Sequence, residues 1–112
     1  MRQVDILGTK YTIEVHVSHE DNMLSECSGY CDEAKKLIVC ADVNDKAVFH
    51  IDEEDKTHVY NKILRHEILH ALLNESGLQE NSTWARDETC VDWMAIMYPK
   101  MKKLFTELGI EG

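Results

Sequence analysis

The sequence contains no long apolar run and little positive charge. No apolar stretch in its 112 residues approaches the roughly 20 residues of a membrane-spanning helix, and the opening residues 1–5 lack the apolar segment of a secretory signal peptide. Lysine and arginine number 12 against 21 acidic residues, which gives a formal net charge of −9. A surface of that sign repels nucleic acid phosphates. We therefore expect a cytoplasmic protein that binds neither nucleic acid nor a membrane.

Residues that interrupt regular structure are also scarce. The chain has one proline and five glycines, and no segment is enriched in the residues typical of a linker. Its length allows one hydrophobic core of modest size but not two. We therefore predict a single domain over residues 1–112.

Cysteine is present, but not in the context of a secreted disulfide framework. Cys27, Cys31, Cys40 and Cys90 are even in number, yet the expected reducing compartment favours free thiols. Disulfide bonds are one alternative interpretation, and a second places a structural zinc ion on Cys27 and Cys31, although no matching cysteine pair follows them. In the third, all four are small, partly buried hydrophobic residues.

The first half of the chain has the two-residue periodicity of strands. Residues 4–17 alternate loosely around Gly8, which predicts a strand pair that turns there. The apolar residues expected on one face of the second strand are Tyr11, Ile13, Val15 and Val17. Residues 29–31 and 37–40 flank a charged turn and predict a second hairpin. The apolar segment Ala47–Ile51 predicts one more short strand.

From Asp52 onward, apolar residues recur at the three- to five-residue spacing of a helix. This spacing predicts a long helix over roughly Glu54–Glu75, with Glu53 and Glu54 in its first turn. Its candidate caps are Asp52, Asp55 and Thr57. Because the helix is apolar around much of its circumference, we expect it to be central and largely buried.

A second helix is predicted after a polar connection over Gln79–Thr83. Its packing stripe begins at Ala85, and the helix kinks or restarts at Pro99 before it ends at Gly109. Strands therefore precede helices along the chain. The predicted fold class is α+β, with a small N-terminal antiparallel sheet packed on a central helix and a second, C-terminal helix.

The first predicted helix contains His66-Glu67-Ile68-Leu69-His70, which matches H-E-x-x-H. Four residues advance about 400° along a helix, so both imidazoles lie on one face and can bind a single zinc ion. Glu67 is rotated about 100° from His66, which suits it to contact a water on the metal. The alternative, two helix histidines with ordinary hydrogen bonds, does not explain why polar groups interrupt an apolar helix.

A third protein ligand is available on the second helix. Glu88 follows His70 with seventeen residues between them, and Asp92 lies four residues further on the same helical face. The Asp92 carboxylate can accept a hydrogen bond from the distal nitrogen of a ligand histidine. Asp87 is a competing ligand without that four-residue spacing. In the alternative interpretation, all three are exposed helix carboxylates.

The segments HEILHALLNESGL and ETCVDWMA resemble the small HExxH metallopeptidases of bacteriophages, prophages and other mobile elements, which are distantly similar to the ImmA/IrrE-like group. They also resemble the gluzincin pattern, H-E-x-x-H followed by E-x-x-x-D. The resemblance covers about residues 29–99, and its specific motifs lie in the two helices. It implies a minimal zincin-like fold, with zinc on His66, His70 and Glu88, the general base on Glu67 and a supporting carboxylate on Asp92.

Together these residues predict a zinc metallopeptidase that binds one Zn²⁺ per chain and hydrolyses peptide bonds in a protein substrate. The resemblance implies a regulatory role and a phage or mobile-element origin. In this mechanism zinc lowers the pKa of its bound water toward about 7, and Glu67 takes the proton and returns it to the leaving amine. An extended substrate would pair with an exposed strand edge.

Two questions stay open on the sequence alone. No residue matches the oxyanion-stabilising histidine or tyrosine of such enzymes unambiguously, and the candidates are Tyr98, His58, Tyr60 and Arg86. The motif is also compatible with an inactive zinc-binding interaction module. A partner protein without metal is the third function considered.

Overall fold

Four strands and three helices make up the described part of the chain, which comprises residues 2–52 and 55–112 of this computed structural model. The strands are β1 (Arg2–Ile6), β2 (Thr9–His16), β3 (Gly29–Asp32) and β4 (Leu37–Ala41). The helices are α1 (Lys56–Glu75), α2 (Leu78–Asn81) and α3 (Glu88–Glu107). The predicted α+β class is confirmed.

The sheet has the order β1-β2-β4-β3 and contains both predicted hairpins. Leu7 and Gly8 turn the first hairpin with φ angles of 51° and 95°, the two positive values that a two-residue type I′ turn requires.

The prediction of a purely antiparallel sheet is wrong, because β2 and β4 pair in parallel, with Ile13 opposite Ile38. Strand β4 is the more buried member of the second hairpin and takes the inner position. The half-buried β3 is therefore left at the edge of the sheet.

The predicted strand over Ala47–Ile51 is not formed, and residues 46–48 make a turn. The carboxylate of Asp45 accepts a hydrogen bond from the backbone N–H of Ala47, and the Asp45 carbonyl accepts from Val48 and Phe49. These local bonds satisfy the backbone donors that a strand would have offered to a neighbour.

Helix α1 lies at the centre of the fold, as predicted, and packs against β1, β3, β4, α2 and α3. It begins at Lys56, after Asp55, whose side chain makes no capping hydrogen bond. The predicted first turn with Glu53 and Glu54 lies outside the described residues.

One core cluster joins the sheet to α1. It consists of the buried residues Ile6, Tyr11, Ile13, Ile38 and Ala71. Val15, expected on the same strand face, is 52% exposed and is not part of this cluster. The four cysteines are free, and burial raises the pKa of Cys31 and of Cys40 to about 12.

The second long helix begins later than predicted. Residues 83–86, including the buried Ala85, form a 3₁₀ turn. Helix α3 begins at Glu88, because the Asp87 carboxylate caps the helix by accepting a hydrogen bond from the Thr89 N–H at 2.8 Å. The helix then continues through Pro99 instead of restarting there. None of the described helices has an apolar stretch long enough to cross a bilayer.

Candidate metal centre

Three side chains from two helices converge on one point. The Nε2 atoms of His66 and His70, one turn apart on α1, are separated by 3.1 Å. Glu88, the first residue of α3, places Oε2 3.0 Å from the His66 Nε2 atom and Oε1 2.7 Å from the His70 Nε2 atom. The two imidazoles are mostly buried, whereas the Glu88 side chain is 70% exposed and forms the solvent side of the site.

These donors fit a metal ion. Ligands of a tetrahedral zinc ion lie about 3.3 Å from one another, since each is about 2.0–2.1 Å from the metal. The three contacts between His66, His70 and Glu88 measure 3.1, 3.0 and 2.7 Å, which is about 0.2 to 0.6 Å shorter than that value. Ligand atoms of His66, Glu67 and His70 also lie within 4.8 Å of one another. The group can therefore hold a metal ion.

Asp92 orients one of the histidines. Its Oδ1 atom lies 3.2 Å from Nδ1 of His66, one turn of α3 beyond Glu88. A carboxylate in this position favours the tautomer with a proton on Nδ1, which leaves the Nε2 lone pair directed at the convergence point. Lys62 also approaches the same oxygen, at 3.7 Å.

Glu67 is a buried carboxylate beside this group. Only 6% of its surface is exposed, and it makes no hydrogen bond or ion pair with any residue in the described ranges. Burial raises the pKa of Glu67 to about 7, and the Glu88 carboxylate adds to that shift while His66 opposes it. Burial also lowers the pKa of His70, which keeps its imidazole neutral as a metal ligand requires. Burial thus favours the neutral forms of both the His70 imidazole and the Glu67 carboxyl group.

The edge strand β3 comes unusually close to Glu67 because residue 29 is glycine. A Cβ atom there would lie 2.8 Å from Ile63 Cγ2, 2.9 Å from the Val39 carbonyl oxygen and 3.4 Å from Glu67 Oε2. Only a residue without a side chain allows this approach. Gly29 therefore sets the width of the space in front of Glu67.

A cleft runs along β3 on both sides of the metal group. It consists of a cavity of about 410 Å³ on the His70 side and a cavity of about 220 Å³ on the His66 side. Both are lined by Cys27, Gly29, Glu67 and Glu88. The candidate base and the metal group thus face a space that an extended chain could occupy.

The competing ligand Asp87 and the four candidate oxyanion donors do not belong to the metal group. Asp87 is occupied as the cap of α3. Arg86 lines the larger cavity, whereas Tyr60 accepts a hydrogen bond from Arg2 and Tyr98 lines an apolar groove between α1 and α3. His58 is exposed near the start of α1.

The predicted alternative of a zinc site on Cys27 and Cys31 gains no support from the structure. Within the described ranges, the group close enough to hold a metal is His66, Glu67 and His70, with Glu88 in contact with both histidines, and no cysteine joins it.

Sequence reasoning missed three residues of the cleft. The strand pattern includes Gly29 without giving it a role, although a glycine within a strand pattern can mark a close approach of another part of the protein. Glu33 and Gln79 also line the larger cavity, and no local pattern in the sequence pairs them.

Comparisons with protein-family models, with curated proteins and with solved structures found no match for this chain.

Proposed function

We propose that this protein is a zinc-dependent metallopeptidase that hydrolyses peptide bonds in a protein substrate. One observation carries the proposal: His66, His70 and Glu88 converge within about 3 Å of one another beside Glu67, a buried carboxylate with a pKa of about 7. Two neutral imidazoles and one carboxylate are a ligand set of catalytic zinc sites, in which a fourth position stays open.

A zinc ion at this site would supply a water of lowered pKa and polarise the substrate carbonyl. Glu67 accepts the proton of the attacking water and delivers it to the leaving amine. Its position suits both steps, because Glu67 is buried directly beside the two histidines that would hold the metal and its water. Asp92 keeps the His66 ring in its binding orientation through Nδ1.

The edge strand offers a means of aligning the substrate. Strand β3 pairs with β4 on one side, and in the described part of the chain no strand pairs with its other side. A peptide added there would gain backbone hydrogen bonds and run along the cleft past Glu67.

One observation favours a second candidate, a zinc-binding interaction module without activity. Among the described residues that line the cleft, Tyr30 is the one tyrosine, and its hydroxyl donates to Asp21 Oδ2 at 2.5 Å instead of facing the metal group. Of the four oxyanion candidates from the sequence, Arg86 is the one that lines the cleft, so its guanidinium is the candidate donor of a peptidase.

Metal analysis and one isosteric variant separate these functions. Protein purified without added metal is expected to contain about one zinc per chain. Glu67→Gln should retain the zinc and lose hydrolysis of a peptide library followed by mass spectrometry, because an amide cannot accept the proton. His66→Ala or His70→Ala should lose tight binding of zinc. Zinc binding without hydrolysis in the parent protein would identify the interaction module.

A further inference from the structure

The larger cavity ends at a carboxylate held by a neighbouring amide. Glu33 follows directly after β3, and Gln79 lies on α2. The Gln79 Nε2 atom donates to Glu33 Oε2 at 2.7 Å, and both residues line the cavity that also contains Glu67 and His70. One carboxylate oxygen is thereby fixed in place, and the other stays available to a ligand.

Glu33 has no cationic partner. Within residues 2–52 and 55–112, no lysine, arginine or histidine nitrogen lies within ion-pair distance of its carboxylate. Of the other cleft carboxylates, Glu88 contacts both ligand histidines, Asp92 contacts His66 and Lys62, and Glu67 is the buried candidate base. Arg86 lines the same cavity, but its side chain is exposed and makes no ion pair with Glu33. It belongs to the turn before α3, where the next two residues are the acidic Asp87 and Glu88.

We propose that Glu33 is a specificity residue that binds a basic side chain of the peptide in the cleft. The proposal rests on the proposed function only in that it needs a peptide to lie along β3. Each carboxylate oxygen has two lone pairs, so the Glu33 oxygen that accepts from Gln79 can also accept one N–H of an arginine guanidinium while the other oxygen accepts a second. Lysine lacks this paired geometry and would bind less tightly.

The register along β3 indicates where the basic residue lies. Gly29 is next to Glu67, and Glu33 is the first residue of the turn after β3, whose extended part Gly29–Asp32 spans about 10 Å at about 3.3 Å per residue. A peptide paired with β3 would therefore carry its basic residue about three or four positions from the carbonyl that faces Glu67.

The test measures binding, so that it does not depend on catalysis. Zinc-loaded Glu67→Gln protein is titrated into fluorescein-labelled octapeptides that are neutral except for one arginine, whose position is moved along the peptide. Matched peptides carry citrulline, the uncharged analogue, or glutamate at the same position. We expect arginine at one position to bind about tenfold more tightly than citrulline, with a preference that weakens as salt is added.

The same titrations with Glu33→Gln in this background should abolish the preference. The Glu33→Gln variant is not expected to unfold, because its amide oxygen can still accept the bond from Gln79. Glu80→Gln is the control: Glu80 is an exposed carboxylate adjacent to Gln79 that does not line the cavity, and its removal should leave the preference intact.

The outcomes separate this proposal from the peptidase function. Equal binding of arginine and citrulline peptides, a preference that survives Glu33→Gln, tighter binding of the glutamate peptides or no binding at all would overturn the role of Glu33. Cleavage by the parent protein without a charge preference would overturn that role alone. A Glu33-dependent preference without any cleavage would overturn only the peptidase function.

Discussion

The Nδ1 atom of His66 and the Oδ1 atom of Asp92 lie 3.2 Å apart across the interface of α1 and α3. The same two helices supply Glu88 and His70, so this contact also holds the ligand-bearing faces together. Removing the charge of Asp92 should therefore lower the affinity of the site for zinc without removing a ligand.

Asp92→Asn is expected to lower zinc affinity by about 10- to 100-fold, as changes in residues that support a ligand histidine commonly do. Competition with a chromophoric chelator measures the effect. Glu107→Gln, an exposed change on the same helix, should leave the affinity as it is. An Asp92→Asn protein that binds zinc as tightly as the parent would remove Asp92 from the site.

Acid should release the metal and destabilise the fold together. The ligand imidazoles must be neutral to bind, so protonation competes with zinc as the pH falls below about 6. At about pH 7.5, a chelator should lower the melting temperature, because bound zinc adds about 2.7 kcal/mol when free zinc is 100 times its Kd. At about pH 5 the chelator should have little effect. Equal shifts at both pH values, or none at the higher one, would count against the His66, His70 and Glu88 site.

Glu75, at the end of α1, should make stability depend on pH in a lower range. Its carboxylate accepts hydrogen bonds from Lys36 at 2.8 Å, Tyr11 at 2.6 Å and Thr9 at 2.9 Å. These donors, Lys36 first, lower the pKa of Glu75 to about 2 from its ordinary 4.5. Because the pKa is depressed in the folded state, the stabilisation is present above about pH 4.5 and is lost as the pH falls toward about 2.

Melting curves from pH 6 to pH 2, with chelator present throughout, test this dependence. Glu75→Gln should be less stable than the parent at pH 6, and the difference should shrink toward pH 2. Glu80→Gln, which removes an exposed carboxylate, should run parallel to the parent. A constant difference between Glu75→Gln and the parent across the range would contradict the assignment.

The Arg65 side chain is expected to stabilise the fold because residue 99 is proline. Proline has no N–H, so the carbonyl of Ala95 loses its partner within α3, and the Arg65 Nε atom donates to it at 2.9 Å. Arg65→Ala should lower the free energy of unfolding by about 1–3 kcal/mol, since a partly buried carbonyl is left without a partner. Urea unfolding measures this loss.

The double variant provides the control for that prediction. In a Pro99→Ala background the amide at position 99 can bond to the Ala95 carbonyl, so Arg65→Ala should cost much less there. An equal cost in both backgrounds would show that Arg65 acts through other contacts.

The sequence by itself determined the features that depend on neighbouring residues. The four-residue spacing of His66 and His70 places both rings on one helical face in any helix, and the same period relates Glu88 to Asp92. The two hairpins and the long central helix follow from local periodicity and turn residues in the same way. The predicted strand over Ala47–Ile51 was wrong, because Asp45 accepts hydrogen bonds from the backbone N–H groups of residues 47–49 and these groups are not available to a neighbouring strand.

Only the tertiary structure decided what distant segments do together. The parallel pairing of β2 with β4 places β3 at the sheet edge, and Gly29 then brings that edge against Glu67. The approach of α3 to α1 brings Glu88 into contact with both histidines, and the contact of Glu33 with Gln79 joins residues 46 positions apart. These relationships arise from packing between elements, and the periodicity of a single element contains no information on which partner its exposed face will meet.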